Sequence, residues 1–221
     1  DVTATIDVIL TDNQALHRLS VGGSGLKQIP STVCGLHELN TLNLNNNSLM
    51  SLQTECFSTL PQLRNVILSR NHLTEIPDHI FDNNDFLQTV DFQQNSISSI
   101  GLHVFSNASN LQNLESISLH NNALTTLEPW PLIRMIVRET SITLQDNLIG
   151  NTTDRLNWKY TCDLGTVRGE LLLMSNKLAR LSDLQKWFPS FAEVFCLVTK
   201  AIPLHVDLSS NEYYCDCLEY E

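Results

Sequence analysis

Apolar residues return along this chain in a fixed phrase: one apolar residue, a spacer, a second apolar residue, two spacers, then Asn, as in Leu42-Asn43-Leu44-Asn45-Asn46-Asn47. Written over eleven positions as LxxLxLxxNxL, the phrase begins at Leu16, Leu39, Leu63, Leu87, Leu114, Glu139, Arg168 and Pro203, with spacings of 23, 24, 24, 27, 25, 29 and 35 residues. Its fourth and sixth positions are apolar, as in Val66 and Leu68, Val90 and Phe92, Ile117 and Leu119, Ile142 and Leu144, and Leu171 and Leu173. Alternation of period two predicts a short strand with one buried face. The ninth position reads Ser24, Asn47, Asn71, Asn95, Asn122, Asn147, Asn176 and Asn211. A side-chain amide both donates and accepts, so Asn there suits a sharp turn that leaves backbone groups unpaired. A further column at the nineteenth position, Cys34, Phe57, Phe81, Phe105 and Leu132, predicts a spine of core residues on the side opposite the strands.

A period in the twenties with this phrase is that of a leucine-rich repeat. A single repeat cannot bury its own apolar face, so the stack is the folding unit. The expected fold is an α/β-type leucine-rich-repeat solenoid: a curved parallel β-sheet on the concave face and an irregular or short-helical convex side. Residues 16–210 hold about eight repeats, the last three irregular, and residues 1–15 form an N-terminal cap or partial repeat. Ile6-Asp7-Val8-Ile9-Leu10-Thr11-Asp12-Asn13 also fits the strand and its Asn, yet Asn13 lies only 11 residues before Ser24, too few for a full turn. A cap hairpin, a partial repeat of a longer array, and a join where residues are missing all fit that spacing.

The 221 residues, 42% of them hydrophobic, suffice for one sizeable domain, which the repeats nearly fill. A net charge of −11, from 13 basic and 24 acidic residues, argues against nucleic acid or an anionic membrane surface as partner. Acidic residues at Glu75, Asp78, Asp82 and Asp85 read as a solvated surface. No membrane span is expected, since the longest apolar candidate, Phe191 to Leu204, is interrupted by Glu193 and Lys200. The opening residues lack the basic and apolar segments of a signal peptide.

The register of the six cysteines is informative. Cys162 and Cys196 lie six and seven residues before their repeat starts, equivalent places on consecutive turns, which predicts a disulfide. Cys34 and Cys56 are also one turn apart. A bridge is feasible there, but Cys34 could equally be a buried spine residue beside Phe57. Sequons stand at Asn46, Asn107 and Asn151. Together with paired cysteines they point to a secretory route and an extracellular or cell-surface location.

Directly after Asn211 comes Tyr214-Cys215-Asp216-Cys217-Leu218. Asn-x-x-x-Cys-Asp-Cys-Leu after a terminal repeat resembles the start of the cysteine-rich C-terminal cap of extracellular leucine-rich-repeat proteins, including Toll-like receptors and Slit-type adhesion proteins. Gly25-Leu26-Lys27-Gln28-Ile29-Pro30 is similar to a phrase of the early repeats in that family. The resemblance covers residues 16 to 217 and departs at Glu212, where such caps commonly carry Pro. It implies that residues 211–221, with Cys215 and Cys217, begin a truncated cap. It also implies a receptor-like or adhesion ectodomain, with a homodimer or larger assembly among its states.

Signals of chemistry are missing. The histidines are scattered, without an HExxH pair or matched CxxC pairs, so neither metal nor cofactor is expected. Gly22-Gly23-Ser24-Gly25 lacks phosphate-loop spacing and reads as a structural turn. No GxSxG elbow marks a nucleophile, and no catalysis is expected. Binding is expected at strand positions three, five and seven, which face away from the core: Asn43, Asn45, Asn65, Ile67, Ser69, Asp91, Gln93, Ser118, His120 and Gln145. This neutral, amide-rich surface suits hydrogen bonding to a protein or glycan. The leading expectation is a non-enzymatic extracellular recognition module, the alternatives being a secreted matrix protein that bridges macromolecules and an intracellular enzyme inhibitor.

Overall fold

The strand positions of the repeat pair with one another turn by turn. The computed structural model describes residues 2–104, 113–125 and 140–148, together with the backbone of two later strands at 169–172 and 204–207. In chain order these hold helix α1 (Val2–Thr11), strand β1 (Arg18–Ser20), a 3-10 helix (Ser31–Gly35), β2 (Thr41–Asn43), α2 (Thr54–Ser58), β3 (Asn65–Ile67) and β4 (Glu75–Ile76). There follow β5 (Thr89–Asp91), β6 (Ser99–Ile100), β7 (Ser116–Ser118), β8 (Ser141–Thr143), β9 (Gly169–Leu172) and β10 (Leu204–Asp207). Eight strands form one parallel sheet in the order β1-β2-β3-β5-β7-β8-β9-β10. Their register aligns the fourth template position throughout: Leu19 with Leu42, then Val66, Val90, Ile117, Ile142, Leu171 and Val206. The irregular spacings after Leu114 therefore leave the sheet register unchanged.

Why one face closes is visible in the burial. Fourth- and sixth-position residues such as Leu42 and Leu44, Val66 and Leu68, and Val90 and Phe92 are fully buried, whereas residues on either side of the fourth position are half-buried. Across the core, Phe57 packs edge-on against Phe81 at 5.8 Å, and Phe81 meets Phe92 at 6.4 Å. The spine column thus reaches the back of the sheet, while Phe105 and Leu132 lie outside the described residues. Beyond the core, β4 and β6 form a second, two-stranded parallel sheet. Among the described residues the far side of the turns is otherwise short helix or irregular chain.

Residues 6 to 15 depart from their repeat-like sequence. A repeat strand there would bury Val8 and Leu10 on one face, but Val8 is 72% exposed and Leu10 only 3%. Helical spacing explains the difference, since Ile6 and Leu10 fall one turn apart on the stripe that packs against the end of the core. Asp7 Oδ1 accepts hydrogen bonds from the Thr32 hydroxyl at 2.5 Å and the Thr32 backbone N–H at 3.3 Å, which ties α1 to the 3-10 helix. Asn13 Nδ2 donates to the Ile9 carbonyl at 2.7 Å and closes the helix end. The segment forms neither a strand nor a hairpin.

Cys34 and Cys56 form a disulfide with a Cα separation of 4.7 Å, so Cys34 is a bridging residue and not a free spine thiol. The bridge joins the 3-10 helix to α2 on consecutive turns. The Thr59 hydroxyl, within hydrogen-bond distance of the Cys34 and Cys56 carbonyls at 2.6 and 2.8 Å, braces the same junction. Cys162, Cys196, Cys215 and Cys217 lie outside the described residues.

Candidate functional site

The turn after each strand decides which polar groups remain available to a partner. At the eighth template position Gly23, Asn46, Arg70, Gln94, Asn121 and Asp146 all have positive φ, between 54° and 65°. That left-handed step swings the ninth residue inward. In consequence Asn47, Asn71, Asn122 and Asn147 are buried. Asn71 Nδ2 donates to the Leu68 carbonyl of its own turn at 2.9 Å and to the Leu44 carbonyl of the preceding repeat at 3.0 Å, while its Oδ1 accepts from Leu49 N–H at 3.0 Å. Asn95, Asn122 and Asn147 repeat the arrangement one, two and three turns on. Each amide therefore serves the repeat before it. Ser24 in the first repeat fits this rule: Asn47 supplies the bonds, its Oδ1 accepting from Ser24 and Leu26 N–H and its Nδ2 donating to the Val21 carbonyl.

The open face of the sheet carries the other amides. Asn43, Asn65, Ile67, Asp91 and Ser118 on the strands, and Asn45, Gln93, His120 and Gln145 just beyond them, are half-buried. Ser69 is only 5% exposed and contributes little to that surface. Several of these groups hold one another in place. Asn43 Oδ1 accepts from Asn45 N–H at 3.0 Å, and Asp91 Oδ1 accepts from Gln93 N–H at 3.0 Å while its Oδ2 accepts from Gln93 Nε2 at 3.2 Å. Thr143 donates to Ser118 Oγ at 3.1 Å, and Ser118 Oγ lies 3.3 Å from His120 Nδ1. Gln145 Oε1 is buried and has no hydrogen-bond partner among the described residues. These side chains are fixed in direction yet retain donors and acceptors for a ligand. Leu172 and Met174, which would extend the surface, have no described side chains.

On the opposite flank the acidic residues do more than solvate. The rings of His79 and His103, equivalent residues of consecutive repeats, stack with centroids 5.1 Å apart. Asp82 Oδ2 lies 2.8 Å from His79 Nδ1, and Asp78 Oδ2 lies 3.5 Å from His103 Nδ1. The His103 backbone N–H donates to Asp78 Oδ1 at 2.7 Å; this bond, with smaller help from the imidazoles, holds the Asp78 carboxyl below its ordinary value. Gly101 makes the approach possible, because a Cβ there would meet Asp78 Oδ1 and the Asp78 backbone nitrogen at 2.4 and 2.6 Å. Sequence reasoning missed this cluster, whose only signal was His at the seventeenth position of two successive repeats. It also missed Asn84, fully buried, whose Nδ2 donates to the Phe57 and Leu60 carbonyls of the preceding turn at 3.1 and 2.8 Å.

Of the three sequons, Asn46 lies on the described surface and is exposed; Asn107 and Asn151 lie outside it. Among the described residues no group of three or more His, Cys, Asp or Glu could hold a metal ion, and no helix is long and apolar enough to cross a membrane.

Residues 25–149 match the model of the BspA type leucine rich repeat region, in six copies. Among solved structures the chain is similar to the leucine-rich repeat domain of APL1, at 21% identity and a TM-score of 0.61, over 94% of this chain and 46% of that one. It thus spans a little under half of that solved chain. No curated protein matches it. With more than half its length covered by the repeat model and the register of the sheet following the repeat, the chain belongs to the BspA type leucine-rich-repeat family.

Proposed function

We propose that this chain is a non-enzymatic recognition module of an extracellular receptor or adhesion protein, and that a protein partner meets it on the open face of the sheet. The observation that carries the reading is the band of hydrogen-bonding side chains from Asn43 to Gln145, uncharged apart from Asp91 and prepositioned by bonds among themselves around the apolar Ile67. A surface fixed in advance loses little side-chain entropy on association. Its near-neutral centre suits recognition through direct hydrogen bonds better than long-range charge attraction. The Cys34–Cys56 bridge supports an oxidising compartment, and the sequons agree with it. The resemblance to Toll-like and Slit-type caps favours a receptor or adhesion role over a matrix bridge.

The test is affinity capture from extracellular fluid of the source tissue, run with the wild type, an Asn45→Ala/Gln93→Ala/His120→Ala variant and a Glu55→Ala/Asp85→Ala variant of the opposite side. The reading expects at least one protein held by the wild type and the opposite-side variant but lost by the open-face variant. Capture that ignores the open-face changes, or disappears only with the opposite-side changes, contradicts it.

A further inference from the structure

The eighth-position column places one sequon where a folded repeat can carry a large substituent. Asn46 stands in the left-handed turn with its backbone N–H engaged by the Ser69 carbonyl at 2.9 Å, while its exposed side chain has no hydrogen bond among the described residues. The next residue, Asn47, is the buried ladder amide, and Ser48 donates its backbone N–H to the Leu26 carbonyl. The sequon is therefore split by the fold: its acceptor points out, its middle residue points in, and its hydroxyl residue is tied only through the backbone.

Neighbours in the column leave room on one side. Arg70, one repeat on, directs Nε to Gln94 Oε1 at 2.7 Å, away from Asn46. One repeat back stands Gly23, where a Cβ would come within 3.3 Å of Asn46 Nδ2, and beside it Gly22, where a Cβ would come within 2.5 Å of Asn45 Oδ1. The place of a Gly22 side chain is thus taken by Asn45, whereas the missing side chain of Gly23 leaves Asn46 Nδ2 uncrowded toward the first repeat. We infer that Asn46 is an N-glycan acceptor whose sugar leaves the exposed turn over Gly23 and shields the turn of the first repeat, at the margin of the open face. Asn46 Nδ2 attacks the anomeric carbon of a lipid-pyrophosphate-linked oligosaccharide. The new C–N bond replaces the C–O bond to pyrophosphate, the lipid pyrophosphate leaves, and Nδ2 loses a proton. This inference rests on the extracellular reading.

The experiment is peptide mass spectrometry of protein from its native source, deglycosylated by peptide:N-glycosidase in heavy-oxygen water so that each occupied Asn becomes a labelled Asp. The label is expected at Asn46. In a eukaryotic secretory host, Ser48→Ala is expected to abolish it there and spare the other sequons, and Asn46→Gln to do the same, Gln94 showing that Gln fits the left-handed turn. Hydroxyl-radical labelling of the intact protein is expected to rise in the peptide of residues 16–30 after glycan removal and to stay constant at His120. A bare Asn46 beside occupied Asn107 or Asn151 overturns the inference and leaves the extracellular reading standing. Three bare sequons in native material overturn both. An occupied Asn46 whose removal leaves residues 16–30 unchanged overturns the shielding.

Discussion

Two sets of side-chain amides lie within one turn of each other in this solenoid and have opposite duties. Asn71, in the turn, is 4% exposed and uses both its donor and its acceptor on the backbone of the preceding repeat. Asn45, two residues before the ladder position of its own repeat, is half-buried on the open face, and its backbone N–H donates to the Asn43 side chain. Residue type alone does not distinguish them. The left-handed residue between them does, by turning the chain so that the ninth side chain faces the stack and the seventh faces outward. The ladder amides hold repeats together, and the open-face amides are left for a partner.

The largest effect should come from the ladder. Asn71→Ala leaves Leu49 N–H and the Leu44 and Leu68 carbonyls without this partner in a buried setting, and should lower unfolding free energy by about 2–4 kcal/mol in urea denaturation. Asn71→Asp sharpens the point. It keeps an acceptor for Leu49 N–H but loses the donors, so a loss close to that of alanine would identify the carbonyl bonds as the dominant ones.

Gly101→Ala probes the contrasting, exposed flank. The added Cβ overlaps the Asp78 backbone, and the expected cost is about 1–3 kcal/mol, with loss of the His103–Asp78 bond seen in amide chemical shifts. If the flank were loosely packed, the cost would vanish.

Smaller still is the acid response. Because the fold lowers the Asp78 carboxyl from its ordinary value of 3.8, its contribution is present above that pH and is lost as pH falls through the lower folded-state value. Asp78→Asn should therefore be less stable than the wild type at pH 6, as read by urea denaturation, with the gap closing below about pH 3.8. A constant gap would mean that the side chain acts by packing alone.

The smallest effect belongs to the open face. Asn45→Ala together with Gln93→Ala should change stability by no more than about 0.5 kcal/mol, as exposed substitutions do. A loss matching that of Asn71→Ala would erase the distinction between the two sets.

Much of this was legible in the chain because the repeat is periodic. Leu42, Val66, Val90, Ile117, Ile142 and the later strands occupy the register the spacing predicts, even where the intervals lengthen. The open-face columns were readable for the same reason, since strand side chains alternate. What escaped was set by ends and by neighbours. Residues 6 to 13 carry the strand phrase but lack the chain length to complete a turn before β1, and helical packing of Ile6 and Leu10 on the core end wins. Whether Cys34 bridged or packed depended on a distance that spacing does not give. The His79–His103 stack and the buried Asn84 arise between turns, where side chains from different repeats meet and no single-repeat pattern records them.

Native-state amide hydrogen exchange by NMR tests the division of labour most directly. Leu49, Leu73, Ile97 and Leu124 donate their N–H groups to ladder Asn side chains, whereas Asn45 and Gln93 donate theirs to open-face side chains. The account predicts that the first group exchanges only through unfolding near the global free energy, and that the second exchanges through local opening at least a hundredfold faster, about 3 kcal/mol less protected. Equal protection in the two groups would contradict it.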